Sequence, residues 1–291
     1  MGGGVILPDY LCSSITHVLI DKKINYSFYK INENLLPDEE VLLEELKEPK
    51  IVLLINYFGL VSVTSIAEKI KILSPNSIVI VDDVQNYYGE EYKDFADYRF
   101  TSYRKWFPVP DGATVYSRCG DVEPSSNKNT FAQYKFAGNL LKSYDDWVED
   151  DLCLSLLNKG ESILDSEYDV ACSAISKQLI QCIQFDEIKT IRRRNAAYLH
   201  NKLSELGVKH SYNDYSVPLF IPIFLESNRT EVRRNMFANN IFTPVHWPYE
   251  SELLNGRDKN SLYDTELSLI CDQRYSEEDM EKQIEVLKTC V

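Results

Sequence analysis

Two short apolar runs, Ile51 to Phe58 and Ser77 to Val81, constrain this chain more than any other feature of its sequence. A strand with water on one face alternates polar and apolar residues, whereas an unbroken apolar run belongs to a strand covered on both faces, the condition of a parallel sheet between helices. Helix-like stretches separate such runs throughout the first hundred residues. Val5-Ile6-Leu7 reads as a strand ended by Pro8-Asp9, Ser13 or Ser14 can cap a helix through His17 to Ile20, and Ile24 to Ile31 reads as the next strand. Pro37-Asp38-Glu39-Glu40 opens a second helix with its acids at the positive end of the macrodipole, and Pro49 stops it. A further helix over Ser65 to Leu73 joins the two apolar runs. This alternation is the signature of parallel βαβ units.

Beyond them, strands around Asp97 to Ser102 and Ala113 to Ser117 bracket Arg104-Lys105-Trp106-Phe107-Pro108-Val109-Pro110-Asp111-Gly112, whose prolines and glycine exclude regular structure. From Thr130 to Leu206 the pattern is helical. Its clearest repeat is Ile188, Ile191, Tyr198, Leu199, Leu203 and Leu206, with Gly207 placed to end the helix. Val217 to Phe224, Ile241 to Trp247 and Ser268 to Cys271 then read as strands, followed by a helix from Ser276 or Glu277 to Leu287. The expected fold class is α/β, with a mostly parallel sheet in a large domain (residues 1–188) and a smaller α+β domain (189–291). A chain of 291 residues is long enough to bury a core for each.

Charge narrows the function classes. With 31 Lys+Arg against 45 Asp+Glu the formal net charge is −14, which opposes phosphate-tracking nucleic-acid binding, and Arg192-Arg193-Arg194 reads as a solvated helix face. The seven cysteines are scattered without a CxxC pair, so they indicate neither a disulfide framework nor a zinc site and read as buried, reduced thiols. No apolar run approaches the ~20 residues of a membrane-spanning helix. Met1-Gly2-Gly3-Gly4 has no basic segment of the kind that begins a signal peptide, so the expected location is the cytoplasm.

In an open parallel sheet, ligands bind outside the carboxyl ends of the strands. Three groups of residues fall there: Pro8-Asp9-Tyr10, Asp82-Asp83-Val84-Gln85 and Ser102-Tyr103-Arg104-Lys105. A lysine, an acid and an aromatic ring are the parts that hold pyridoxal 5'-phosphate: the amine bonds the aldehyde, the carboxylate keeps the pyridine nitrogen protonated, and a flat side chain packs on the ring. Each part also has a plainer reading, as a capping acid, a solvated lysine and a core tyrosine.

The stretches Leu7-Pro8-Asp9-Tyr10-Leu11-Cys12, Tyr57-Phe58-Gly59, Val81-Asp82-Asp83-Val84-Gln85 and Ser102 to Gly112 resemble the DegT/DnrJ/EryC1/StrS aminotransferases. The resemblance continues through Arg194-Asn195-Ala196-Ala197-Tyr198, Val217-Pro218-Leu219, Val245-His246-Trp247-Pro248, Leu267-Ser268-Leu269 and Asp272-Gln273-Arg274-Tyr275. It implies fold type I of the pyridoxal-phosphate enzymes, the aspartate-aminotransferase fold. It also implies a homodimer that moves an amino group from a donor such as glutamate to a keto-sugar. Carried over residue by residue, it makes Lys105 the Schiff-base lysine and proton carrier, Asp82 the partner of the pyridinium nitrogen, Gln85 a contact of the ring or its hydroxyl, Ser102 a phosphate donor and Tyr10 the ring platform. Asp83 competes with Asp82, in a register that would put Asn86 in the Gln85 role. Ser102 can equally bond its own backbone.

Lys105, between Arg104 and Trp106, is expected to have a cationic neighbour and an apolar surround, both favouring its neutral amine. His246, Trp247 and His200 read as packing residues, while Arg274 is either ion-paired or a substrate contact. Members of the family precede the Leu-Pro-x-Tyr strand with a Gly-Arg-x-Ala turn that helps hold the phosphate. This sequence goes from Met1-Gly2-Gly3-Gly4 directly into that strand, so a truncated or degenerate relative is an alternative, as a non-catalytic scaffold. Sugar dehydratases of the same fold commonly carry His where Lys105 stands, which argues for transamination over dehydration.

Overall fold

The computed structural model describes residues 4–89, 95–143, 150–167, 169–250 and 259–290, so that Met1, Gly2 and Gly3 lie outside the described residues. The chain begins with β1 (Val5–Pro8), α1 (Ser13–Asp21), β2 (Tyr26–Tyr29), α2 (Glu39–Glu44), β3 (Ile51–Ile55), α3 (Thr64–Leu73), β4 (Ile78–Asp82), β5 (Tyr98–Ser102) and β6 (Ala113–Ser117). It continues through α4 (Ala132–Lys142), α5 (Asp150–Ser166), α6 (Ala174–Ile180), α7 (Phe185–Glu205), β7 (Phe220–Phe224), α8 (Arg229–Ala238), α9 (Leu262–Thr265), β8 (Glu266–Ile270) and α10 (Glu277–Lys288). The first six strands form one mixed α/β sheet of order β2-β1-β3-β4-β5-β6, and β7 and β8 form a second. The α/β architecture and its mostly parallel sheet are those expected.

Residues up to Arg99, with those from Phe185 onward, make one compact unit, and Phe100–Gln184 makes another. In the first unit β1 pairs in parallel with β2 and β3, and β3 with β4, so these strands end at one edge. Both faces are covered: Ile6, Val52, Leu54, Val79 and Val81 have no exposed surface, and α3 lays Ile66, Ala67 and Ile70 inward. Burying such side chains contributes about 1.5–3 kcal/mol each, which is why the unbroken apolar runs specify this layer.

The carboxy-terminal part of the same unit is built on the antiparallel β7–β8 ladder, with Phe220 opposite Ile270 and Phe224 opposite Glu266. Ala196, Leu199 and Leu203 from α7, Val232 and Met236 from α8, and Met280, Ile284 and Leu287 from α10 close over it. A reciprocal capping box between Ser276 and Asp279 starts α10. The run from Ile241 to Trp247, read as a strand, is irregular, and of Ile24 to Ile31 the strand takes Tyr26–Tyr29, with Ile31 in a separate bridge to Pro37. Arg192 departs from its expected solvated face: it is buried and donates to Gln273 Oε1 and to the carbonyls of Pro218 and Leu219 at 2.9, 3.2 and 3.1 Å. Cys153 and Cys271 are buried as expected, whereas Cys119 and Cys182 are exposed.

The Tyr57-Phe58-Gly59 turn after β3 needs its glycine. Gly59 has φ +71°, and a Cβ there would lie 2.8 Å from the Val217 carbonyl oxygen and 2.9 Å from that of Gln85. Gly59→Ala is expected to cost about 2–3 kcal/mol, from positive-φ strain and displaced backbone. A lowered urea midpoint at unchanged slope would show it.

Candidate active site

The parallel register sets Ile55 opposite Asp82, and the Asn56 N–H donates to the Asp82 carbonyl at 3.1 Å. The ends of β1, β3 and β4 therefore bring Tyr10, the Tyr57-Phe58-Gly59 turn and the Asp82-to-Gln85 turn to one edge of the first unit. Asp82 is buried, and its Oδ1 accepts from the Val84 N–H at 2.8 Å, closing the turn. Asp83 is engaged differently: Asn56 Nδ2 and Asn86 Nδ2 donate to its Oδ1 at 2.6 and 3.2 Å, and Arg99 Nη1 holds its Oδ2. Asn56 in turn accepts from the Val63 N–H at 2.9 Å, so this pairing also locks the entry to α3.

Gln85 Oε1 accepts from the Phe58 N–H at 2.8 Å, tying the two turns together, and its amide nitrogen makes no hydrogen bond among the described residues. Tyr10, the residue expected as the ring platform, has an interior position. It is fully buried, its hydroxyl donates to the His246 carbonyl, and its ring lies 5.5, 5.3 and 5.0 Å from those of Tyr57, Trp247 and Tyr263. Burial pushes its phenol well above the ordinary range, as expected of a core tyrosine. Aromatic pairs at these separations add to the burial that holds the ring in place.

In the second unit Ser102 ends β5 half-buried, and Tyr103–Lys105 forms a 3-10 turn. Trp106 and Phe107 both donate their N–H to the Tyr103 carbonyl, and this turn directs Trp106 into the interior while Lys105 faces solvent. Lys105, expected in an apolar surround, is thus exposed, while its neighbour Trp106 is buried. Asp111 anchors the far end of the loop. Its carboxylate accepts from Ser173 Oγ at 2.5 Å, from the Ser173 N–H and Asn129 Nδ2 at 2.7 Å each, and from Ser176 Oγ, at the start of α6. Gly112, at φ +106°, leaves room for Cys172 and the Tyr103 ring.

The near end of that loop is held by charge. Arg104 Nη1 lies 3.1 Å from Glu161 Oε1 on α5, and the buried Lys135 of α4 bonds the same oxygen. Gly160 makes this possible, since a Cβ there would meet the Lys135 stem at 2.8 Å. Burial first, then the Arg104 and Lys105 cations, pull the Lys135 ammonium down to about 8. Glu161, Lys135, Asn56 and Arg99 carried no motif signal; their partners lie 16 to 57 residues away in sequence. Arg274 is ion-paired with Asp272, its Nε and Nη2 donating to the two carboxylate oxygens at 3.0 and 2.6 Å. His200 is structural, stacked on Tyr212 and bonded to His210 at 2.8 Å.

No protein-family model matches the sequence, and no curated protein matches it. Solved structures do match in fold. A DegT DnrJ EryC1 StrS aminotransferase from Brucella abortus is 17% identical with a TM-score of 0.64, over 99% of this chain and 79% of that one. The sugar aminotransferase CalS13 from Micromonospora echinospora is 13% identical with a TM-score of 0.67, over 99% and 80%. Spr1654 from Streptococcus pneumoniae, in its PMP form, is 14% identical at the same score and coverages of 99% and 80%. The chain thus has the fold of these aminotransferases along nearly its whole length.

Asp111→Ala would strip several donors of their buried acceptor, at an expected cost of about 3 kcal/mol. Hydrogen exchange should rise across residues 103–112 and 173–180 and stay unchanged in β1, β3 and β4.

Proposed function

We propose that this chain is a pyridoxal-phosphate-dependent aminotransferase that moves an amino group from an amino acid, glutamate, to a keto-sugar or similar carbonyl, and that it works as a homodimer. The observation that carries the reading is the Asp82-to-Gln85 turn at the carboxyl edge of the parallel strands, in a fold shared with sugar aminotransferases. When bound, the cofactor supplies an electron sink for the pair left by a departing α-proton.

The residues present fit that group in chemistry. Asp82 offers a buried carboxylate to a pyridinium nitrogen, Gln85 offers an amide N–H, Ser102 a hydroxyl to a phosphate, and Lys105 an exposed amine that takes up and returns the proton. The resemblance offers Tyr10 as the ring that packs on the cofactor. Asp82 is favoured over Asp83 because Asp82 and Gln85 then satisfy the Asp-x-x-Gln spacing without a substitution. Residues 189–291 are taken as a smaller α+β domain around β7 and β8.

Borohydride treatment of the protein with pyridoxal phosphate should fix the cofactor to the peptide containing Lys105, and Lys105→Ala should abolish that adduct. Fixation elsewhere, or no uptake of cofactor, would contradict the reading and leave a scaffold built on the same fold. Asp82→Asn should leave stability near wild type and slow half-transamination with glutamate by roughly a hundredfold or more. Asp83→Asn should instead lower stability by about 1–3 kcal/mol through loss of its hydrogen bonds to Asn56 and Arg99. The reverse pattern would move the role to Asp83.

A further inference from the structure

His246 is wired in a way that packing alone does not require. Its backbone N–H donates to Glu266 Oε2 at 2.8 Å, Ser268 Oγ donates to Glu266 Oε1 at 2.5 Å, and its ring Nδ1 lies 3.0 Å from the same Ser268 Oγ. Glu266 and Ser268 have no exposed surface. A hydroxyl has one hydrogen, and here it goes to the carboxylate, so Nδ1 must carry the proton that bonds Ser268. When the ring is neutral, Nε2 is therefore the nitrogen that bears the free lone pair.

That nitrogen is open to a ligand. Nε2 bonds nothing among the described residues, and the His246 side chain keeps about a tenth of its surface exposed. Around it stand Phe58, Phe220 and the half-buried Trp247, with ring centroids 5.4, 5.1 and 5.6 Å from the imidazole. Phe58 is the residue whose N–H Gln85 holds, so His246 stands beside the carboxyl edge of β3 and β4. A fully buried carboxylate is costly unless its bonds do something, and here they fix one tautomer of one histidine.

We propose that His246 Nε2 accepts a hydrogen bond from a hydroxyl of a ring-shaped, polyhydroxylated substrate whose apolar face lies on Trp247, with Ser268 and Glu266 as positioning residues. The inference deepens the proposed function by assigning the element that recognises the sugar, and rests on that reading only for the substrate class. A few placed polar groups among aromatic walls is how such sites orient a ligand.

Nitrogen NMR of histidine-labelled wild-type protein should show His246 protonated at Nδ1 and bare at Nε2. Diethylpyrocarbonate, which acylates accessible unprotonated imidazole, should modify His246 among the four histidines, and UDP-glucose as probe should protect it. His246→Asn keeps a donor for Ser268 and removes the acceptor, so it should fold with wild-type stability and bind UDP-glucose about tenfold more weakly, the loss of one neutral hydrogen bond. Ser268→Ala should release the tautomer. A ring protonated at Nε2, a His246 that resists acylation or is not protected, or unchanged binding by His246→Asn would each overturn the proposal. Cofactor fixed on Lys105 alongside any of these would overturn it alone. Protection of His246 without cofactor uptake would instead leave the sugar site standing and remove the transamination.

Discussion

The parallel register that places Ile55 against Asp82 decides where chemistry can occur in the first unit. Because β1, β3 and β4 run the same way and are covered on both faces, nothing polar is tolerated along their length. Polar groups collect where the strands stop. Asn56, Asp82, Asp83 and Gln85 all lie within a few residues of those ends, and their hydrogen bonds join the turn after β3 to the turn after β4. Gly59, squeezed between the carbonyls of Gln85 and Val217, is what lets the two turns approach.

The second unit solves a different problem, that of holding an irregular, proline-interrupted loop in one shape. Its two ends are fixed by two carboxylates, Glu161 gripping Arg104 and Asp111 gathering Ser173, Ser176 and Asn129. Between them Trp106, Phe107 and Val109 are buried, so the loop is held by its apolar side chains as well as its ends. Lys105 lies exposed on this anchored segment.

Features written in local pattern were legible in the sequence: the apolar runs that became β3 and β4, the periodicity of α7 that buries Leu199 and Leu203, and an acid at a strand end. What escaped was set by contacts distant along the chain. Tyr10 is drawn inward by Tyr263 and Trp247, more than two hundred residues on. Arg192 lies in a basic run, yet the carbonyls of Pro218 and Leu219 make burial acceptable to it. Ile241 to Trp247 has the apolar content of a strand, but the backbone of Ser268 takes the Pro244 carbonyl and Glu266 takes the His246 N–H, so the segment is strapped down as a loop.

Asp82 is the acid proposed to face a pyridinium nitrogen. The most direct measurement is the nitrogen NMR shift of pyridoxal phosphate labelled at its ring nitrogen and bound to wild-type, Asp82→Asn and Asp83→Asn proteins. That assignment requires a protonated ring nitrogen in the wild type and in Asp83→Asn, and an unprotonated one in Asp82→Asn. A ring nitrogen unprotonated in the wild type, or protonated in Asp82→Asn and not in Asp83→Asn, would contradict it.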